Sequence, residues 1–121
     1  MKKRILVVDD EKDIVDLVCA RLKAAGYDTI TAYDGEEGLE KARTGKPDLI
    51  ILDLMLPKMD GYAVCLALKS DPNYRDIPII MFTARYHEND IKMGQEIGAD
   101  AYVIKPYDAN ILMANIQALI K

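Results

Sequence analysis

The chain has 121 residues, with 20 Asp+Glu against 16 Lys+Arg for a formal net charge of −4, and half of its residues are apolar. That size and apolar content predict one domain, residues 2–121, with a core able to fold without disulfides or structural zinc, and they exclude a disordered chain. The acidic balance, with no Lys/Arg stripe, argues against direct nucleic-acid binding, and no apolar run approaches the ~20 residues that span a bilayer.

In chain order, Ile5-Leu6-Val7-Val8 is a short continuous apolar run of the kind that forms a strand buried on both faces. It follows Met1-Lys2-Lys3-Arg4 but is too short for the apolar region of a signal peptide and stops at Asp9-Asp10-Glu11. The expected compartment is therefore the cytoplasm, with no membrane contact. A helix is predicted next, with Ile14, Leu17, Val18, Leu22 and Ala25 on its apolar side and Gly26 as its stop. A weaker strand from about Asp28 to Tyr33 leads to a helix from near Gly35 to Arg43, and Thr44-Gly45-Lys46-Pro47 turns the chain into a second strong strand, Leu49-Ile50-Ile51-Leu52.

The third predicted helix, about Gly61 to Lys69, presents Tyr62, Cys65, Leu66 and Leu68. A turn-rich stretch and Pro78 precede Ile79-Ile80-Met81-Phe82, where a missing N–H at the strand start is tolerated. The fourth helix is expected from about His87, on its exposed start, to Ile97, with Gly98 as its stop. Ala101-Tyr102-Val103-Ile104 is the last strand, and a helix from about Asp108 to Ile120 carries Ile111, Leu112, Ile116, Leu119 and Ile120 on one side. Cys19 and Cys65 read as core residues on helix faces; without Cys-x-x-Cys spacing they suit a reducing compartment.

Five strand–helix units in alternation require parallel pairing with helices on both faces, a doubly wound α/β fold. Ligands of such folds sit beyond the carboxyl ends of the strands, where strand order reverses. The residues that follow the buried runs are Asp9 and Asp10, Asp53, Thr83 and Lys105. Three carboxylates on one edge repel one another unless a cation sits among them. An oxygen-only donor set with room for water suits Mg²⁺, with Mn²⁺ as a substitute. Lys105 adds a fixed positive charge and Thr83 a hydroxyl donor, which together suit a phosphoryl group in transfer. Asp53 at the end of the central strand can serve as a ligand or as a nucleophile that forms an acyl phosphate. With no Gly-x-x-x-x-Gly-Lys loop and no Gly-x-Gly-x-x-Gly fingerprint, the phosphate arrives on another molecule.

Four segments, Ile5 to Glu11, Pro47 to Gly61, Ile79 to Ala84 and Gly98 to Tyr107, together resemble the receiver domain of two-component response regulators. The resemblance covers essentially the whole chain. It implies a flavodoxin-like (βα)5 three-layer sandwich with strand order 2-1-3-4-5. It also implies that Asp53 accepts a phosphoryl group from a sensor histidine kinase or a histidine phosphotransfer protein. Mg²⁺ would be held by Asp10, Asp53 and the backbone carbonyl of Met55, with Asp9 acting through a water. Lys105, Thr83 and the backbone of Ala84 would stabilise the phosphoryl group, Thr83 and Tyr102 would switch, and the Lys105–Pro106 bond would be cis.

Such a domain is a signalling receiver rather than an enzyme, one that assists its own phosphorylation and dephosphorylation. Its output would pass through the face made by the fourth predicted helix, the last strand and the last helix, with Tyr86, Tyr102 and Tyr107 as aromatic anchors. That face would meet a downstream protein, an output domain of a longer parent, or a second copy in a homodimer. The five units occupy the chain as given and leave no output module within it. The apolar side chain of Met55 cannot orient an attacking water and Arg85 cannot act as a general base, so slow hydrolysis of the phosphoaspartate is expected.

Several residues also have plainer roles. Asp9-Asp10-Glu11 resembles an acidic helix start, and Tyr102 suits simple strand packing. Two other functions share parts of the pattern. A Mg²⁺-dependent phosphatase with an aspartate nucleophile would carry a second Asp where Met55 stands. A flavodoxin-like cofactor carrier would need a Ser/Thr/Gly loop where Asp9-Asp10-Glu11 would repel FMN phosphate.

Overall fold

The computed structural model describes residues 2–83, 98–104 and 109–120. Its elements are β1 (Arg4–Val8), α1 (Lys12–Ala24), β2 (Asp28–Ala32), α2 (Gly35–Thr44), β3 (Leu49–Leu52), α3 (Gly61–Lys69), β4 (Ile79–Thr83), β5 (Ala101–Ile104) and α4 (Ala109–Leu119). The expected helix of about 87–97 lies outside the described residues. So do Ala84, Arg85, Tyr86, His87, Lys105, Pro106, Tyr107 and the side chain of Thr83.

All strand pairs are parallel, and the five-stranded sheet has the order β2-β1-β3-β4-β5. The two-residue period of each strand divides the core into two layers. Ile5, Val7, Leu49, Ile51, Ile80, Phe82 and Val103 face α1 and α4, where Val18, Leu22, Leu112 and Ile116 are buried against them. Leu6, Val8, Ile50, Leu52, Ile79 and Met81 face the opposite way, onto Ala42 of α2 and Val64, Cys65 and Leu68 of α3. The doubly wound three-layer architecture thus follows from apolar residues at both alternating positions of the central strands.

Burial differs from the sequence expectation on three helix faces. In α1 the buried stripe is Val15, Val18, Cys19 and Leu22, while Leu17 is 56% exposed. In α3 it is Gly61, Val64, Cys65 and Leu68, leaving Leu66 outside; in α4 it is Leu112 and Ile116, leaving Ile111 outside. In α1 and α3 the side chains that fit i, i+3, i+4, i+7 are the ones selected, and the apolar residue between stripes faces water. Burial on both faces also fails for β5, where only Val103 is buried, because a strand at the sheet edge has one neighbour.

Short polar contacts set the helix ends. Asp34 and Asp60 cap α2 and α3 by accepting from the N–H groups of Glu37 (2.8 Å) and Ala63 (2.9 Å). Gly26, at φ 94°, ends α1 in the left-handed conformation that a Cβ disfavours.

Candidate functional site

The chain runs from β1 to β2 on one side and then crosses to β3 on the other, so strand order reverses between β1 and β3. Asp9 and Asp53 follow those two strands directly, and register places Val8 opposite Leu52. The Asp53 N–H donates to the Val8 carbonyl at 2.9 Å, and the Asp9 N–H to the Ala32 carbonyl at 3.1 Å. Extending the sheet hydrogen bonding by one residue therefore delivers two aspartates side by side at the reversal point. Both are almost fully buried, Asp9 at 2% exposure and Asp53 at 5%; they are the buried charged residues of the described core.

Asp10 and Glu11 are exposed neighbours of this pair. Carboxylate oxygens from Asp9, Asp10, Glu11 and Asp53, one from each, all lie within 4.8 Å of one another. The turn between β1 and α1 produces this convergence. Asp9 Oδ1 accepts from the Glu11 N–H at 2.9 Å, which folds the chain back over the strand end. Glu11 is the extended N-cap of α1 and makes no side-chain cap bond, and Lys12 is the first helical residue. Asp9 and Asp10 therefore precede the helix rather than forming its acidic first turn, which contains Asp13.

On the β3 side, Asp53 Oδ1 accepts from the Met55 N–H at 3.4 Å, bringing the Met55 backbone to the cluster while its side chain stays 61% exposed. Gly61 closes this loop. Its N–H donates to the Leu54 carbonyl at 2.8 Å, and a Cβ there would lie 2.8 Å from Leu54 Cα and 3.0 Å from the Asp53 carbonyl carbon. A groove beside the cluster is lined by Asp10, Met55, Pro57, Asp60 and Tyr62. Four hard oxygen donors, two from inside and two from the solvent side, fit a divalent cation that keeps waters for exchange with phosphate oxygens.

The structure therefore brings together Asp9, Asp10, Asp53 and the backbone at Met55. Thr83 ends β4 at the same edge, paired in register with Ile104. Tyr102 pairs with Met81 and is half-buried against the α2/α3 layer. Lys105, Ala84 and Pro106 lie outside the described residues. Glu11 is the member that sequence reasoning missed as a possible donor; its signal was adjacency to Asp9-Asp10, but its direction depends on the Asp9 turn. The cysteines take no part. Burial pushes the Cys65 thiol up to about 11, with the nearby Lys69 ammonium opposing and Asp100 adding to the rise. Burial also raises Cys19, against a hydrogen bond with Thr29 that lowers it. Neither is a ready thiolate nucleophile.

The family model for the response regulator receiver domain matches residues 5–117. The chain belongs to this family. The transcriptional regulatory protein PhoP of Bacillus subtilis, named for alkaline phosphatase synthesis, is 50% identical over 121 residues, covering 100% of this chain and 50% of its own length. The DNA-binding response regulator MtrA of Mycolicibacterium smegmatis is 40% identical over 121 residues, covering 100% and 52% respectively. The receiver chain thus spans about half the length of these curated relatives. Among solved structures, the chemotaxis protein CheY4 of Vibrio cholerae superposes with a TM-score of 0.92 at 32% identity, covering 99% of this chain and 100% of that one. Receiver domains bind Mg²⁺ at an acidic pocket, and the Asp9, Asp10, Glu11 and Asp53 cluster could hold such a metal.

Proposed function

We propose that this receiver is a phosphorylation-controlled switch in which Asp53 accepts a phosphoryl group from a sensor histidine kinase or a histidine phosphotransfer protein. The observation that carries this is the placement of the Asp53 carboxylate, nearly buried at the end of β3, within 4.8 Å of three other carboxylates. A carboxylate oxygen of Asp53 attacks phosphorus, the donor's bond to phosphorus breaks, and an acyl phosphate forms. Bound Mg²⁺ supplies charge neutralisation for the carboxylates and the phosphoryl oxygens. Asp10, Asp53 and the Met55 carbonyl hold it, with Asp9 acting through a water. Asp53 is oriented by the Met55 N–H.

Lys105, Thr83 and the Ala84 backbone stabilise the phosphoryl oxygens in this proposal, across a cis Lys105–Pro106 bond. Phosphorylation adds about two negative charges at Asp53. Thr83 and Lys105 move toward them, and Tyr102 repacks, changing the face around β5 and α4 that a partner distinguishes. The relatives named as transcriptional regulators favour an output in transcription, delivered by an output domain in a longer parent or by a separate protein. The same face would serve a homodimer. Residues 2–121 act as one cytoplasmic receiver unit, which also assists loss of its own phosphate. No helix among the described residues is long and apolar enough to cross a membrane.

Radiolabel transfer from acetyl phosphate in the presence of Mg²⁺ tests the assignment. The wild type should label and Asp53→Asn should not; equal labelling of both would refute it.

A further inference from the structure

Residues 53–60 join β3 to α3, and their path is fixed part-way along by a contact with the start of α2. Pro57 offers its carbonyl to two N–H groups, that of Met59 at 2.8 Å and that of Gly35, the first residue of α2, at 3.2 Å. Lys58 lies between them in the left-handed region at φ 69°, and its Nζ is 3.7 Å from Asp34 Oδ2, the cap of α2. A Cβ on Gly35 would stand 2.6 Å from the Met59 carbonyl carbon and 2.8 Å from Met59 Cβ, and closer still to the Met59 carbonyl oxygen. Gly35 is not among the residues with positive φ, so what this position requires is space and not an unusual backbone conformation. The first turn of α2 and the 57–59 turn thus touch backbone to backbone.

This contact bears on the cluster because the same loop begins with Asp53 and carries Met55, whose N–H reaches Asp53 Oδ1. Gly61 pins the loop at its far end through the Leu54 carbonyl. Between those anchors, the α2 contact is the brace that stops the loop from swinging away from the cluster. We infer that Gly35 is a positioning residue for the cation site: by admitting the Met59 backbone against α2, it holds the Met55 peptide in the place where its carbonyl completes the carboxylate donor set. This rests on the metal site proposed above. Outer contacts that orient ligands are typically worth 10–100-fold in metal affinity.

Calorimetric titration of Mg²⁺ into purified wild type, Gly35→Ala, Asp34→Asn and Gly45→Ala, with a thermal melt of each, tests the inference. Gly45 closes the opposite end of α2, where a Cβ would press on Ile30 Cδ1 and the Lys41 carbonyl at 2.7 Å, so its substitution strains the same helix away from the loop. Gly35→Ala should weaken Mg²⁺ binding by roughly tenfold or more, whereas Gly45→Ala should lower Tm yet leave the wild-type Kd. If Gly35→Ala shows no cooperative melt, Asp34→Asn decides, since it keeps a cap oxygen but discards the charge that faces Lys58. It should weaken Mg²⁺ binding by a few-fold, and an unchanged Kd would overturn the inference. A wild-type Kd in Gly35→Ala, or equal losses in Gly35→Ala and Gly45→Ala, would also overturn it. Absence of Mg²⁺ binding by the wild type would instead sink the metal site itself.

Discussion

Cys65 shows how burial at a single residue sets a pH response. Its thiol titrates at about 11 in the folded domain against a reference of 9.0, chiefly through burial. The folded form therefore keeps a proton that the unfolded chain loses first. The resulting stability is fully present below the unfolded value and is lost as pH climbs through the folded one, by about 1.4 kcal/mol per pH unit between the two. Urea midpoints of wild type and Cys65→Ala should accordingly draw together between about pH 9 and about pH 11; a constant difference would contradict the assignment. At the site, Met55 exposes a thioether where a polar group could orient water. The phosphoaspartate of the isolated domain should therefore persist for minutes or longer in a decay assay, and loss within seconds would count against it. Asp9, Asp10 and Asp53 were legible in the sequence because each follows a buried apolar run. Glu11 was not, because its approach to the cluster depends on a hydrogen bond from its own N–H to Asp9.

At the scale of elements, the end of α3 is tied to the sheet by one ammonium. Lys69 Nζ donates to the Arg75 carbonyl at 3.1 Å, the Ile77 carbonyl at 2.9 Å and Asp100 Oδ2 at 2.9 Å, and its side chain is only 14% exposed. Asp100 Oδ2 also accepts from the Ile79 N–H at 2.8 Å, so one carboxylate links the starts of β4 and β5. Lys69→Met keeps the stem but leaves acceptors unpaired. It should cost about 2 kcal/mol and several degrees of Tm; an unchanged melt would show that water replaces the ammonium. Nothing in the sequence marked Lys69, since a lysine at a helix end is usually solvated. Helix existence was legible from apolar spacing, but the choice of stripe was not. Leu17, Leu66 and Ile111 satisfy the pattern locally and still face water because the sheet accepts only the neighbouring stripe.

For the whole molecule, the strand order β2-β1-β3-β4-β5 turns two separate stretches of sequence, Asp9 to Glu11 and Asp53, into one site, because it places β1 beside β3. That order was expected only from the family resemblance, since apolar runs reveal strands but not their neighbours. Once the order is set, Asp9 and Asp53 must share an edge, and the location of the acidic cluster follows. The central claim is that Asp53, and not another member of that cluster, receives the phosphoryl group. Incubation with acetyl phosphate and Mg²⁺, reduction of the acyl phosphate with borohydride, and peptide mass spectrometry test it directly. Homoserine at position 53 is the predicted product; homoserine at Asp9 or Asp10, or none at all, would contradict the account.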